Sequence, residues 1–271
     1  VPCMFSMYSK NDYKRSMNMQ YENVAEIINR VGYDVTWRNN NSGCKGICEH
    51  LNKDPINKEN SEKFYHDGEF YDEALVEDLA RRIKAHQTNQ VIFLHQLGSH
   101  GPAYYKRVPE EDKILQPACE SAEFADCNQN EIINAYNNTV LYTKKTIGMA
   151  IDTLESLQDD YDTVLIYISD HGESTGENGI YLHGVPYFLA PDEQIHIPAL
   201  IWVSDSLATH QGIDMKCMQD KSKDRFSHDN FSHTLLGILK IESTVYSKPM
   251  DLFDNCRTED ITATNRRLVV N

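Results

Sequence analysis

Nowhere in its 271 residues does this sequence hold an apolar run near the roughly 18 residues that a membrane-spanning helix needs. It lacks a basic excess as well: 26 Lys and Arg stand against 41 Asp and Glu, a formal net charge of -15. A nucleic-acid binder would show a basic face, so that class is excluded. Simple electrostatic adhesion to anionic lipid is disfavoured for the same reason. An anionic substrate therefore has to be met by a local cluster of positive charge or by a metal ion. No secretory signal pattern opens the sequence, and no internal repeat or low-complexity tract interrupts it. Familiar hydrolytic motifs are missing too: there is no G-x-S-x-G elbow, no H-E-x-x-H and no P-loop. The glycines of "GESTGENG" lack the spacing and the lysine of a nucleotide loop.

What is present begins with seven cysteines. Cys44 and Cys48 enclose "KGI", and Cys119 and Cys127 bracket "ESAEFAD". Two close pairs in polar, loop-like sequence indicate local disulfides and an oxidising compartment. The rival reading is a four-thiolate zinc site, whose ribbon spacing these pairs fit poorly. Cys217 and Cys256 in the C-terminal third are counted among the paired cysteines, which leaves Cys3 over. The opening "VPCMFSMYSK" has no initiating Met. We expect a single catalytic domain over 1–271, cut from a longer chain, with the partner of Cys3 upstream.

Apolar periodicity predicts an α/β domain. Residues 21–31 place Val24, Ile27, Ile28 and Val31 on one helical face, and Gly32 ends that helix. "YDVTW" reads as a strand, 39–68 as a long loop, 71–86 as an amphipathic helix and "VIFLHQ" as a buried strand. After a second long loop, 99–128, a helix is expected over about 130–157. Its stripe is Ile133, Tyr136, Val140, Ile147, Ile151 and Leu154. Strands follow at 163–169 and 199–204, and a final helix at about 229–240. Strands apolar throughout and separated by helices imply a mostly parallel sheet covered on both faces. Ligands of such sheets sit beyond the carboxyl ends of the strands.

The chemistry-bearing residues follow those ends. "ISDHGESTGENGIYLHG" leaves a strand directly into Asp170 and His171, and His183 comes twelve residues later. A carboxylate and an imidazole are good zinc donors. Gly172 is expected to permit the turn that lets them converge. "LHQLGSHG" places His95 and His100 past another strand; His95 suits a satisfied core histidine and His100 an exposed role. His196 and His210 lack such context. The loop "NNNSGCKGIC" offers Asn41, Ser42, Lys45 and two glycines, a composition that can hold a phosphate through backbone N–H groups and one ammonium.

Together "SDHGES-GENG-YLHG", "LHQ-GSHGPAYYKR", "VPCMFS" and "WRNNNSGCKG" resemble the soluble catalytic domain of the lipid A phosphoethanolamine transferases, the group that includes the mobile colistin-resistance enzymes. The likeness runs from residue 1 to the region near Cys256. It implies an alkaline-phosphatase-like α/β/α sandwich with a central, mostly parallel sheet. It also implies a periplasmic location, with an N-terminal transmembrane domain outside these residues as the inner-membrane tether. The implied cofactor is Zn2+, the donor phosphatidylethanolamine, the acceptor lipid A, and the intermediate a phosphoethanolamine-threonine. By motif, Asp170 and His171 match zinc ligands. His100 and His183 match residues around the substrate phosphate or a second zinc, and Asn41, Ser42 and Lys45 match a substrate-contacting loop. The threonine nucleophile and a glutamate ligand are implied upstream of Val1. A monomer is expected. Two other readings stay open: a related zinc phosphodiesterase or sulfatase-like hydrolase, and a non-catalytic periplasmic binding module.

Overall fold

The structure, a computed structural model, describes residues 1–258 and 268–270, with the backbone alone at 18, 19 and 268–270. Helix α1 (Val24–Arg30) starts at Asn23, whose side chain accepts from the N–H groups of Ala25 and Glu26 while Glu26 reaches back to the Asn23 amide. Gly32, in the left-handed region, turns the chain into strand β1 (Asp34–Asn39). Parallel to β1 lie β2 (Asn52–Pro55) on one side and β3 (Gln90–His95) on the other, with Thr36 opposite both Asn52 and Ile92. Between β2 and β3 runs helix α2 (Leu79–Lys84); beyond β3 comes the 27-residue helix α3 (Gln129–Glu155). Strands β4 (Val164–Ile168) and β5 (Ala199–Val203) pair with each other, and helix α4 (Asp229–Ile238) follows.

Two apolar clusters cover the two faces of this strand layer. On one face Ile28 of α1 and Phe231, Leu235 and Leu236 of α4 pack with Val35 and Trp37, reached by Val91 and Phe93 of β3 and by Ile166 and Ile168 of β4. Opposite, Leu79 and Ile83 of α2 and Ala150 of α3 meet Ile92 and Leu94 of β3 and Leu165 of β4. The same helical layers therefore clasp both halves of the strand layer, the α/β/α arrangement expected from the sequence.

Several local expectations need correction. Strand β5 runs antiparallel to β4, with Ile166 opposite Ile201. An apolar run carries no direction, and the connection from β4 to β5 holds no helix longer than the four-residue turn Asp192–Ile195, not the crossover helix a parallel return usually has. The expected helix over 71–86 is broken into Glu73–Val76 and α2, with Asp78 in the left-handed region. Buried Arg38 donates to the Ala74 carbonyl, which a continuous helix would offer to the Asp78 N–H. The loop 39–68 contains β2 and the helical turn Lys58–Ser61, and helices Asp205–Gln211 and Met215–Lys221 fall where none was expected. On α3 the buried stripe is Ile132, Ala135, Thr139, Tyr142, Thr146 and Ala150, whereas Val140 is 43 % exposed and faces a cleft within the strand layer.

Disulfides join Cys44 to Cys48, Cys119 to Cys127 and Cys217 to Cys256, with Cα separations of 5.8, 5.7 and 5.4 Å, and Cys3 is free. A four-thiolate zinc site is thereby ruled out. The first bridge staples the polar loop after β1, and the second closes the loop that leads into α3.

Candidate metal centre

Strands β3 and β4 end at the same edge of the molecule, and the polar clusters that follow them meet there. The His100 and His171 rings lie 6.2 Å apart, His100 and His183 5.0 Å, and His171 and His183 3.9 Å. Asp170 and His171 turn toward each other where β4 unravels: Asp170 Oδ1 is 3.8 Å from His171 Nε2. Two donors of a tetrahedral zinc with bonds of about 2.0–2.1 Å stand roughly 3.3 Å apart, so this pair needs only a small closure to share an ion.

The hydrogen bonds around the rings decide which nitrogen is offered. His171 Nδ1 lies 2.9 Å from the Gly172 carbonyl and His100 Nδ1 2.7 Å from the Gly101 carbonyl. A carbonyl only accepts, so each Nδ1 carries the proton and each Nε2 presents its lone pair. For His183 the partner of Nδ1 is Glu173 Oε1. The other Glu173 oxygen accepts from the Tyr104 hydroxyl at 2.8 Å. Glu173 and Tyr104 are 5 % and 1 % exposed. Burial first, and the Glu173 carboxylate second, push the Tyr104 phenol well above its ordinary range, so it remains a donor. His171, Glu173 and His183 bring ligand atoms within 4.8 Å of one another. With both oxygens engaged, Glu173 chiefly orients His183.

Glu173 is the residue that sequence reasoning missed. It stands two positions after His171, but its meaning depends on partners 10 and 69 residues away. Tyr104, in "GPAYYKR", was missed for the same reason.

Backbone packing holds the site loop. Gly172 does not occupy the left-handed region, contrary to the expected reason for a glycine there. It is needed for close approach: a Cβ at this position would sit 1.9 Å from the Glu193 carbonyl oxygen. The Gly172 N–H donates to the Gln194 carbonyl at 3.0 Å, and Ser169 Oγ donates to the His171 carbonyl at 2.6 Å. Buried Asp72 performs a similar task for the other two loops. Its carboxylate accepts from the Leu97 and Gly98 amides and from the Asn40 side chain, tying the segment that leads to His100 to the end of β1. Burial pushes the Asp72 carboxyl up, and those three donors pull it back.

Of the Asn41–Lys45 loop, Asn41 lines the cleft that reaches His100, Asp170 and His171. Asn41 donates to the Gln96 carbonyl at 3.0 Å, and Lys45 Nζ donates to Ser42 Oγ at 2.7 Å. Lys45 and Asp170 both act electrostatically on the Val1 ammonium and on His95. Among the described residues no hydrogen bond joins this loop to His100, His171 or His183. His95 behaves as a core histidine. It bonds Asn39 Oδ1 at 2.7 Å, packs edge-on to Trp37, and burial lowers it to about 4. His210 pairs with Asp162, and His196 lies on the surface.

Taken as a donor set, an aspartate oxygen and imidazole nitrogens with fixed tautomers suit zinc or a similar divalent ion. Two further imidazoles stand within reach of an anion held there.

Residues 1–241 match the sulfatase family. Phosphoethanolamine transferase EptA of Salmonella typhimurium is 41 % identical over 258 residues, 95 % of this chain and 47 % of the relative. Phosphatidylethanolamine transferase Mcr-1 of Escherichia coli is 36 % identical over 259 residues, 83 % of this chain and 46 % of the relative. The chain thus spans about half the length of these curated relatives. The crystal structure of the soluble domain of lipooligosaccharide phosphoethanolamine transferase A from Neisseria meningitidis superimposes with a TM-score of 0.89 at 37 % identity, over 95 % of this chain and 77 % of that one. At 19 % identity and a TM-score of 0.55, a protein of the alkaline phosphatase superfamily from Vibrio parahaemolyticus shares the fold over 88 % of this chain and 53 % of that one. By its sequence match and its fold, this chain belongs to the sulfatase family, in the group formed by the phosphoethanolamine transferases.

Proposed function

We propose that this chain is the catalytic part of a zinc-dependent enzyme of the periplasmic face of the inner membrane. It transfers phosphoethanolamine from phosphatidylethanolamine to a phosphate of lipid A through a phosphoethanolamine-threonine intermediate. The added ammonium lowers the negative charge of lipid A and weakens the binding of cationic polymyxins such as colistin. The observation that carries the reading is the meeting of the Asp170–His171 donor pair with His100 and His183 at one edge of the strand layer. The relatives' names supply the group transferred.

The residues divide the work by their geometry. Asp170 and His171 would hold the ion, whose bound charge offsets that of the phosphodiester and favours ionisation of a hydroxyl nucleophile. His183, its Nδ1 tied to Glu173, presents Nε2, which in the imidazolium form donates to a phosphoryl oxygen or gives its proton to the departing alkoxide. His100 stands beside it, the two rings 5.0 Å apart, with its own ring fixed through the Gly101 carbonyl. Asn41, Ser42 and Lys45 form the rim from which an ammonium and amide donors meet the remaining charge of the headgroup phosphate. The threonine nucleophile belongs to residues on the amino side of Val1, whose nitrogen lies 3.9 Å from Asp170 Oδ2.

The test uses the full-length protein in liposomes with fluorescent phosphatidylethanolamine and lipid A. Mass spectrometry of the acceptor is expected to show added phosphoethanolamine, lost on chelation and restored by zinc. Release of the headgroup to water with unmodified lipid A would replace this reading with a sulfatase-like hydrolase. An unaltered donor together with no bound metal would leave a binding module.

A further inference from the structure

Four residues past His183 the chain turns three large apolar side chains outward. Tyr187, Phe188 and Leu189 are 63, 84 and 60 % exposed, at the tip of a turn that the Leu189 N–H closes on the Pro186 carbonyl at 2.8 Å. Packing within the domain gives such a run no purpose, and consecutive exposed apolar residues cost solubility unless something covers them. The turn stands at the edge that carries the candidate metal centre. Four residues reach at most about 14 Å from Cα to Cα, so Tyr187 lies within that distance of His183. From the other side the Lys10 ammonium lies 3.0 Å from the centre of the Tyr187 ring. The Lys10 amide donates to Asp229, and the preceding His228 donates from Nε2 to the carbonyl of Ser169, the residue before Asp170. The apolar tip, its lysine and the end of β4 therefore share one neighbourhood.

We infer that this tip is a membrane-docking loop: Tyr187, Phe188 and Leu189 enter the headgroup region of a phospholipid bilayer while Lys10 meets the lipid phosphates. That a bilayer is at hand rests on the lipid-substrate reading given above. The choice of a bilayer over a protein partner rests on composition and charge. Aromatic rings beside a lysine suit a membrane–water boundary, the rings level with the headgroups and the ammonium toward phosphate. The segment that supplies Lys10 repeats the combination. Residues 8–21 hold the exposed Tyr8 and Tyr21, their rings 5.3 Å apart, and set Lys10, Lys14 and Arg15 against one acid, Asp12, in a chain of net charge -15. A domain so acidic has to meet lipid phosphate through a local cationic contact, and Lys10 supplies one. Exposed Asp192 and Glu193 at the foot of the loop keep the insertion shallow, no deeper than the apolar tip. A lipid headgroup can then reach the site while its acyl chains stay in the bilayer.

The full-length protein in nanodiscs of phosphatidylethanolamine and phosphatidylglycerol tests this, with Phe188→Trp as the reporter. A docked ring lies roughly 5–10 Å deep, so lipids brominated high on the acyl chain are expected to quench about half or more of the emission that this residue adds to the parent protein. Quenching of less than about a tenth overturns the inference. So does an added tryptophan shielded from acrylamide yet untouched by bromine, which would place the tip against protein. A second measurement replaces Phe188 and Leu189 together by Ser. Both side chains are exposed, so the melting midpoint should hold. The KM for a donor in bilayers is expected to rise about tenfold or more, with turnover of a water-soluble short-chain donor unchanged. Equal losses on both donors, or none on either, overturn the inference. Quenching needs no turnover, which separates the two readings. A quenched tip on a protein that transfers nothing would sink the catalytic reading and keep the docking loop, and transfer with an unquenched tip would do the reverse.

Discussion

Two loops border the candidate metal centre, and they are held in opposite ways. The Asn41–Lys45 loop is self-contained. The Cys44–Cys48 bridge closes it, Lys45 bonds Ser42, and Asn41 alone reaches out, to the Gln96 carbonyl. The loop from Asp170 to His183 has no covalent tie. It is fixed by partners distant in sequence: Tyr104 on Glu173, and the Glu193–Gln194 backbone against Gly172. A covalent staple stabilises largely by limiting the unfolded chain, so its loss should lower stability while leaving the ion site as it was. Long-range packing sets the positions of donor atoms, so its loss should reach the ion directly.

The strongest challenge to this contrast is Gly172→Ala. The added methyl overlaps the Glu193 carbonyl, and the loop has to move. We expect a loss of about 2–3 kcal/mol in chemical denaturation together with loss of metal binding in a zinc-competition titration. Unchanged affinity would show that the loop is not held by this contact. Next comes Glu173→Gln, which keeps the shape and removes the charge facing His183. Zinc affinity should drop by roughly 10- to 100-fold with little change in melting temperature. The reverse pattern would make Glu173 a packing residue. Replacing both Cys44 and Cys48 by Ser should cost about 2 kcal/mol, with zinc affinity unchanged.

A smaller effect comes from His95, which is buried in its neutral form. Its folded value, about 4, lies below the ordinary 6.5, so its contribution is complete above 6.5 and declines as pH falls through 6.5 toward 4. A loss of about 1 kcal/mol is expected by pH 5.5, and His95→Gln should remove that slope. Smallest is Lys45→Ala, whose ammonium is exposed. Stability should shift by less than about 0.5 kcal/mol, so any fall in turnover would reflect substrate contact rather than folding.

Much of this architecture is legible in the sequence because it is local. Apolar periodicity marks α3, continuous apolar runs mark β3 and β4, and close cysteine spacing marks two disulfides. The histidines and Asp170 stand out because they directly follow apolar runs. What was not legible depends on chain closure. The antiparallel course of β5 leaves no trace in "ALIWV", the break before α2 needs Arg38 to reach Ala74, and Glu173 gains its partners only when 104 and 183 come together. Helices Asp205–Gln211 and Met215–Lys221 did carry local signals, capping by Ser204 and Asp214, which the short apolar content around them masked.

Asp72 binds the Asn40 side chain with one oxygen and the Leu97 and Gly98 amides with both. The loop after β1 and the loop after β3 are thus moored to a single post, and the span between Asn41 and His100 behaves as a fixed ruler. An inhibitor with two heads on a stiff spacer cut to that span would give up little freedom on binding, and should outcompete the same heads on a supple tether.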